Sequence, residues 1–433
     1  MGIFKNDKGN KENLLDAILD ENIEKIKSIL ENNKKKILKL NENNKTGWSP
    51  LSLAIHKNNI EIVKILIKYA LQHKDFNLQL NENDEDGSYP LIRAISNDNI
   101  EIVKLLLEFA KCHHIIVELN KKDKDGNYPL LKAISNNNFV MVVFLIRYAK
   151  KYKIILKLNE KNRKGNYPLL EAINNYNIEI YNLLIDYATQ HQIILKLNGK
   201  NKDGNYPLLL SINSYNIEIT KLLIVYANQY HIILKLNEKN KKGKYPLLEA
   251  INCNNAVMVL LLMEYAIQHQ MILNLNEKNN DGKYPLLEAI YHKNTEIVQL
   301  LMEYANHHQI ILELNEKDNN GRYPLLEAIS SNNNEIGKLL IEYSYQHQIT
   351  LELNERNEFG NYPLLKSIRY NNVEMVKLLI EYAIQHQIIL EYDQNKIGNN
   401  SEIKVILEIY EKQNEIKVIK DINKSVNHYD NII

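Results

Sequence analysis

Asp203-Gly204-Asn205-Tyr206-Pro207-Leu208 is the stretch that decides the fold, because its phrase returns along the chain at a fixed interval. The nine prolines of the 433 residues are Pro50, Pro90, Pro129, Pro168, Pro207, Pro246, Pro285, Pro324 and Pro363, a first step of 40 and then seven of 39. Each stands three residues after a glycine, from Gly47 to Gly360, and each precedes a leucine. Glycine accepts the positive φ of a tight turn, and proline suits the first helical position, where its missing amide hydrogen would have no partner. The phase therefore reads turn, then helix, nine times over.

Working outward, the spacing predicts a short first helix from about Pro168 to Asn174 in the fourth copy, then a second helix behind a recurrent Asn. That residue is Asn59, Asn99, Asn138, Asn177, Asn216, Asn255, Asn294, Asn333 and Asn372 in successive copies, a strong N-cap type. Ile180, Leu183, Leu184 and Tyr187 then recur at spacings of three and four, the pattern of an amphipathic helix with one core face. Ile193-Ile194-Leu195-Lys196-Leu197-Asn198 alternates in part and reads as extended chain, leading to a projecting hairpin-like loop and the next glycine. A single unit cannot cover its own apolar face, so neighbours must stack. The fold class predicted is an all-α repeat solenoid of helix-turn-helix pairs. Its organisation is a flexible N-terminus (1–10), an N-terminal capping helix pair (11–43), nine repeats (44–398), C-terminal capping helices (399–420) and a flexible tail (421–433).

The unit resembles an ankyrin repeat. The turn phrase stands where that family has D-x-x-G-x-T-P-L-H, and Ile100-Glu101-Ile102-Val103-Lys104-Leu105-Leu106 stands where it has E-I-V-x-x-L-L. The resemblance covers 44 to about 392 and implies protein binding on a concave groove lined by loop tips and first helices. It also implies that the loop Asn of each copy (Asn41, Asn81, Asn120, Asn159, Asn198, Asn237, Asn276, Asn315, Asn354) bonds backbone between repeats. The departures are regular. Thr before proline is Tyr from Tyr89 to Tyr362, with Ser49 in the first copy, and the His two places after proline is Ile or Leu except at Ser52. Where the family closes its second helix with Gly, this chain has Ala70, Ala110, Ala149, Ala188, Ala227, Ala266, Ala305, Ser344 and Ala383. Since Ala propagates a helix, the second helix is expected to run about one and a half turns past it, roughly 9 Å.

Composition narrows the function. Lys+Arg at 54 against Asp+Glu at 53 lacks the footprint of a phosphate-backbone binder, and the basic tips have no interleaved aromatics, so no nucleic-acid partner is expected. Cys112 and Cys253 are too few for a disulfide framework or a four-cysteine zinc site and are expected as reduced thiols. The sequence shows neither the apolar core of a signal peptide nor a run long enough to span a membrane, which gives a cytoplasmic expectation and leaves nuclear or host-directed placement open. No phosphate loop, nucleophile elbow or metalloprotease motif is present, so the chain is read as a non-enzyme without cofactor, and a small-molecule ligand is not expected.

Two ladders invite chemistry and read better as stacking. His73, His113, His191, His269, His308, His347 and His386, with Tyr152 and Tyr230 in the gaps, sit at a helix C-terminus, where they and flanking Gln residues are expected to cap carbonyls. No metal site is expected, because stacked helices hold successive rungs about 8–10 Å apart. Tyr69, Phe109, Tyr148, Tyr187, Tyr226, Tyr265, Tyr304, Tyr343 and Tyr382 are read as inter-repeat core.

Function is expected where the copies differ. Over the eight residues from each loop Asn, the second copy is acidic through Glu82, Asp84, Glu85 and Asp86, while the middle copies are basic. The candidate partner-binding residues are Trp48, Lys161, Arg163, Lys164, Lys202, Lys239, Lys241, Lys242, Lys244, Lys283, Arg322 and Phe359. Lys200 belongs to the same basic run. Trp48 either anchors a partner or packs on the first cap. The leading expectation is a scaffold or adaptor for a protein with an acidic stretch; the alternative is an architectural spacer or tether acting through its ends and outer face.

Overall fold

The computed structural model describes residues 14–32, 47–73, 78–84, 87–213, 217–393, 397, 400–414 and 417–418. They belong to two compact units, 1–214 and 215–433, and each is an all-α repeat solenoid taken here by itself. Outside the described residues lie 1–10 and 421–433, Asn41, Asn216, Glu85 and Asp86.

Proline sets each first helix. Pro50–His56, Pro90–Ser96, Pro129–Ser135, Pro168–Asn174 and Pro207–Asn213 stand in the first unit, and Pro246–Asn252, Pro285–Tyr291, Pro324–Ser330 and Pro363–Arg369 in the second. Within each unit they pack on their neighbours in the adjacent copies, and all but Pro207–Asn213 pack on the second helix of their own copy. Among the described residues the predicted Asn caps are in place. The Asn177 side chain accepts from the Ile180 amide at 2.8 Å and that of Asn255 from the Met258 amide at 3.0 Å. Ile180, Leu184 and Tyr187 are buried as expected, but Tyr181 takes the core place assigned to Leu183, which is half-buried.

The second helix is shorter than expected. Ile178–Gln190 ends two residues past Ala188, about 3 Å of helix instead of roughly 9 Å. The Ile193 amide donates to the Ala188 carbonyl (2.8 Å) and the Gln192 amide to the Thr189 carbonyl (3.3 Å), a Schellman closure with Gln192 at φ 55. The chain must reverse here because Leu195 and Leu197 are buried while Ile194 and Lys196 face out, the alternation read from the sequence. Ala188 is fully buried, so its small size serves packing as well as helix propagation. The backbone thus closes the helix, and the histidines mostly do something else. The His191 ring lies 4.2 Å from Tyr187, and His269 and His347 reach Asn228 and Asn306 of the preceding copy at 2.9 and 2.8 Å. His73, 2.9 Å from the Tyr69 carbonyl, does meet a helix carbonyl.

The regular departures from the ankyrin pattern couple one copy to the next. Ser49 caps its helix by accepting from the Ser52 amide (3.1 Å), whereas Tyr167 and Tyr245 make no side-chain cap bond. Their hydroxyls instead cross to the following copy, from Tyr167 to the Lys196 and Gly199 carbonyls (2.7 and 3.1 Å) and from Tyr245 to those of Asn274 and Glu277 (3.2 and 2.8 Å). Burial raises both phenols well above their usual pKa, which keeps them hydrogen-bond donors. The loop Asn bonds as the resemblance implied: Asn159 donates to the Ile194 carbonyl (2.8 Å) and accepts from the Lys196 amide (3.0 Å). The second aromatic ladder points back, Tyr187 and Tyr265 accepting from the Leu156 and Leu234 amides at 3.0 Å.

At the ends, residues 14–19 and Ile23–Asn32 are helical, and Ile23–Asn32 packs on Ile60–Gln72. Ser401–Asn414 packs on Val373–Gln385. After this single helix, where helices were expected to continue, Lys417–Val418 pairs in parallel with Glu391–Tyr392.

Candidate functional site

From Pro90 onward the loop tips are braced because an Asn or Asp six places before each proline folds the turn. Asn162 accepts from the Lys164 and Asn166 amides (3.0 and 2.9 Å), and Asn240 accepts from those of Lys242 and Lys244 (2.9 and 3.0 Å). Side-chain oxygens of this type hold their own backbone two residues on. Neighbouring tips are then joined: in the first unit the Arg163 amide donates to the Asp125 carbonyl (2.7 Å) and the Lys202 amide to that of Lys164 (2.9 Å). A row of tips fixed in this way can present charges in set positions.

The expected site residues divide into two groups. In the first unit, Arg163, Lys164 and Lys202 are exposed at adjacent tips. Lys161 is exposed but its ammonium donates to the Lys200 carbonyl (2.7 Å). Trp48 is half-buried between the His56 ring (4.8 Å) and the Arg93 guanidinium (4.4 Å), so it packs within the first two copies. Asp84, read as part of an acidic tip, is buried and holds Arg93 at 2.6 Å; it adds nothing to the surface charge.

In the second unit, Lys241 and Lys242 are exposed, and Phe359 is 80% exposed at its tip. The other basic candidates are engaged. Lys239 pairs with Glu277 of the next copy (2.5 Å), Lys244 with Glu249 (2.9 Å), Lys283 with Glu288 (3.0 Å) and Arg322 with Asp318 (2.6 Å). Glu249, Glu288 and Asp318 are all buried, so Lys244, Lys283 and Arg322 neutralise charges that the fold has taken out of water, whereas the Lys239–Glu277 pair stays half exposed.

Sequence reasoning missed those carboxylates. Glu171, Glu249, Glu288 and Glu327 occupy the third place after proline, where other copies have Leu53, Arg93, Lys132, Leu210 and Lys366. Their signal was a Glu set between Leu and Ala on a seven-residue helix with apolar residues on most sides. Burial raises the Glu327 carboxyl above its ordinary pKa, against the opposing pull of Arg322 and Lys366. A carboxyl whose folded pKa is raised stabilises most below its unfolded value, and that contribution is lost as pH rises through the folded one. Glu327→Gln is therefore expected to raise the melting temperature by about 1–2 °C at pH 7 and to bring no gain near pH 4, read from thermal melts across that range.

Among the described residues no cluster of three or more His, Cys, Asp and Glu is placed to hold a metal ion, and no helix is long and apolar enough to cross a membrane. Among the described residues neither Cys112 nor Cys253 is in a disulfide.

Stacked helix pairs with rigid, charged, copy-specific tips define a repeat protein of the kind that presents a surface. The family model for ankyrin repeats matches residues 14–114, 211–311, 268–352 and 304–389, more than half of the sequence. The chain belongs to the ankyrin-repeat family. Among solved structures it is similar to the ankyrin repeat domain of Bcl-3, described as a unique member of the IkappaB protein family. That similarity has 17% identity and a TM-score of 0.42, over 58% of this chain and 97% of that one. No curated protein matches the sequence. Ankyrin repeats are generally protein-interaction modules and are typically non-enzymatic.

Proposed function

We propose that this chain is a non-enzymatic scaffold or adaptor that holds another protein on the face formed by its loop tips and first helices. The observation that carries the reading is the division among the cations. Lys239, Lys244, Lys283 and Arg322 are engaged by carboxylates, while Arg163, Lys164 and Lys202 in the first unit and Lys241 and Lys242 in the second stand exposed on braced tips. Braced, exposed cations favour an acidic partner at little ordering cost. The partner proposed is a protein with an acidic stretch, and Phe359 is proposed as an apolar contact beyond it.

Affinity capture followed by mass spectrometry tests this, comparing the intact chain with R163E/K164E/K202E and with K241E/K242E. Proteins captured by the intact chain and lost from the reversed ones support the tip surface. Identical capture by all three would reject it and favour the ends and outer face.

A further inference from the structure

We propose that the outward edge of the extended segments in the second unit is a self-association surface, on which a second copy of this chain docks antiparallel about a two-fold axis at Asn274. Each extended segment buries two alternate side chains and turns the others out. In the sixth copy Leu273 and Leu275 are buried, while Ile272 faces solvent and Asn274 is half-buried. The outward place held by Ile272 is Ile233, Ile311, Thr350 and Ile389 in the other copies of this unit, and the isoleucines are each more than half exposed. An isolated exposed Ile needs no explanation, but one per copy in register forms a row.

The register is set by the loop Asn bonds. Asn237 donates to the Ile272 carbonyl (2.7 Å) and accepts from the Asn274 amide (3.0 Å), Asn276 does the same to Ile311 and Glu313 (2.7 and 3.2 Å), and Asn315 to Thr350 and Glu352 (2.8 and 3.0 Å). Successive segments therefore lie side by side with like positions aligned.

The residue two places after each of these exposed side chains points the same way, and its charge selects the occupant. Within the second unit it is, in chain order, Lys235, Asn274, Glu313, Glu352 and Glu391, which changes sign about Asn274. Stacking does not require this, since the buried residues on either side remain Leu, or Tyr392 in the last copy, while this position changes. A two-fold axis at Asn274 sets Lys235 of each copy against Glu313 of the other, brings Ile233 to Ile311, and places Ile272 near its twin. An isologous contact demands this self-complementarity, and a parallel arrangement in register would set like charges together. Within one chain Lys235 bonds Glu238 (3.2 Å), an exposed pair that exchanges partners at little cost.

Sedimentation velocity on the full chain tests the proposal. The intact chain should show a concentration-dependent monomer–dimer equilibrium that weakens with salt. Ile272→Asp, Lys235→Glu and Glu313→Lys should each abolish the dimer with melting temperature unchanged, and K235E/E313K should restore it. A chain that stays monomeric at every concentration, a dimer that persists in the single variants, or a double variant that remains monomeric would overturn it.

Discussion

Gly165→Ala is expected to destabilise the first unit by about 3 kcal/mol in equilibrium denaturation, while Gly360→Ala, at the same place in the phrase, should cost only about 1 kcal/mol. Both glycines have positive φ, +81 and +68, so both substitutions carry the backbone cost of a left-handed residue. They differ in what the new methyl meets. At Gly165 it would lie 2.9 Å from the Cα of Asn201 and 2.9 Å from the amide nitrogen of Lys202, whereas at Gly360 nothing stands within 4 Å. Backbone cannot swing aside as a side chain can, so the next tip must move, and with it the bond from the Lys202 amide to the Lys164 carbonyl (2.9 Å). Equal losses in the two variants would show that the glycine serves its own turn alone and that close approach of the next copy is unimportant.

Lys244→Glu is the second large effect expected, a loss of about 3 kcal/mol, against almost none for K241E/K242E a few residues away. The Glu249 carboxylate is only 4% exposed and its charged partner is Lys244 at 2.9 Å; the Asn252 amide, at 3.4 Å, is a weak substitute. Reversal removes the compensating charge and adds a second carboxylate at a site that water scarcely reaches. Lys244 itself is 33% exposed, which keeps the penalty at the lower end for a broken buried pair. Lys244→Gln, which can still donate to the carboxylate, should lose less. If the three-lysine set were a uniform exposed patch, reversal of any member would leave the melting temperature unchanged.

The fold was legible because its rules are local and repeated. Proline at the first helical position, Asn at the second helix's N-cap and glycine in the turn each act within a few residues, and the ninefold period separated them from chance. The length of the second helix was misread because Ala188 was judged by propensity. Its burial, and the need to turn so that Leu195 and Leu197 face inward, close the helix through a left-handed Gln192 that no propensity would favour. The tyrosines before proline were legible as regular departures but not as bridges, since the carbonyls that Tyr167 meets lie 29 and 32 residues on.

The candidate surface was legible in outline and blurred in detail for the same reason. A count of charge along a tip treats Lys241, Lys242 and Lys244 alike, and only the packed first helix reveals that Glu249 waits beneath the third. Asp84 is the converse case, an acidic tip residue on paper that turns inward to Arg93. Trp48 was placed between a partner anchor and packing on the first cap, and its neighbours His56 and Arg93 belong to the first and second copies, contacts that a single-copy reading does not bring together.

Melting temperature and partner capture measured together on K241E/K242E and on Lys244→Glu most directly test the claim that tip cations engaged by buried carboxylates hold the fold while the exposed ones bind. The expected result is a double variant that melts like the intact chain and has lost its captured partners, beside a single variant that melts lower. A double variant that keeps every partner, or that melts as low as Lys244→Glu, would contradict it.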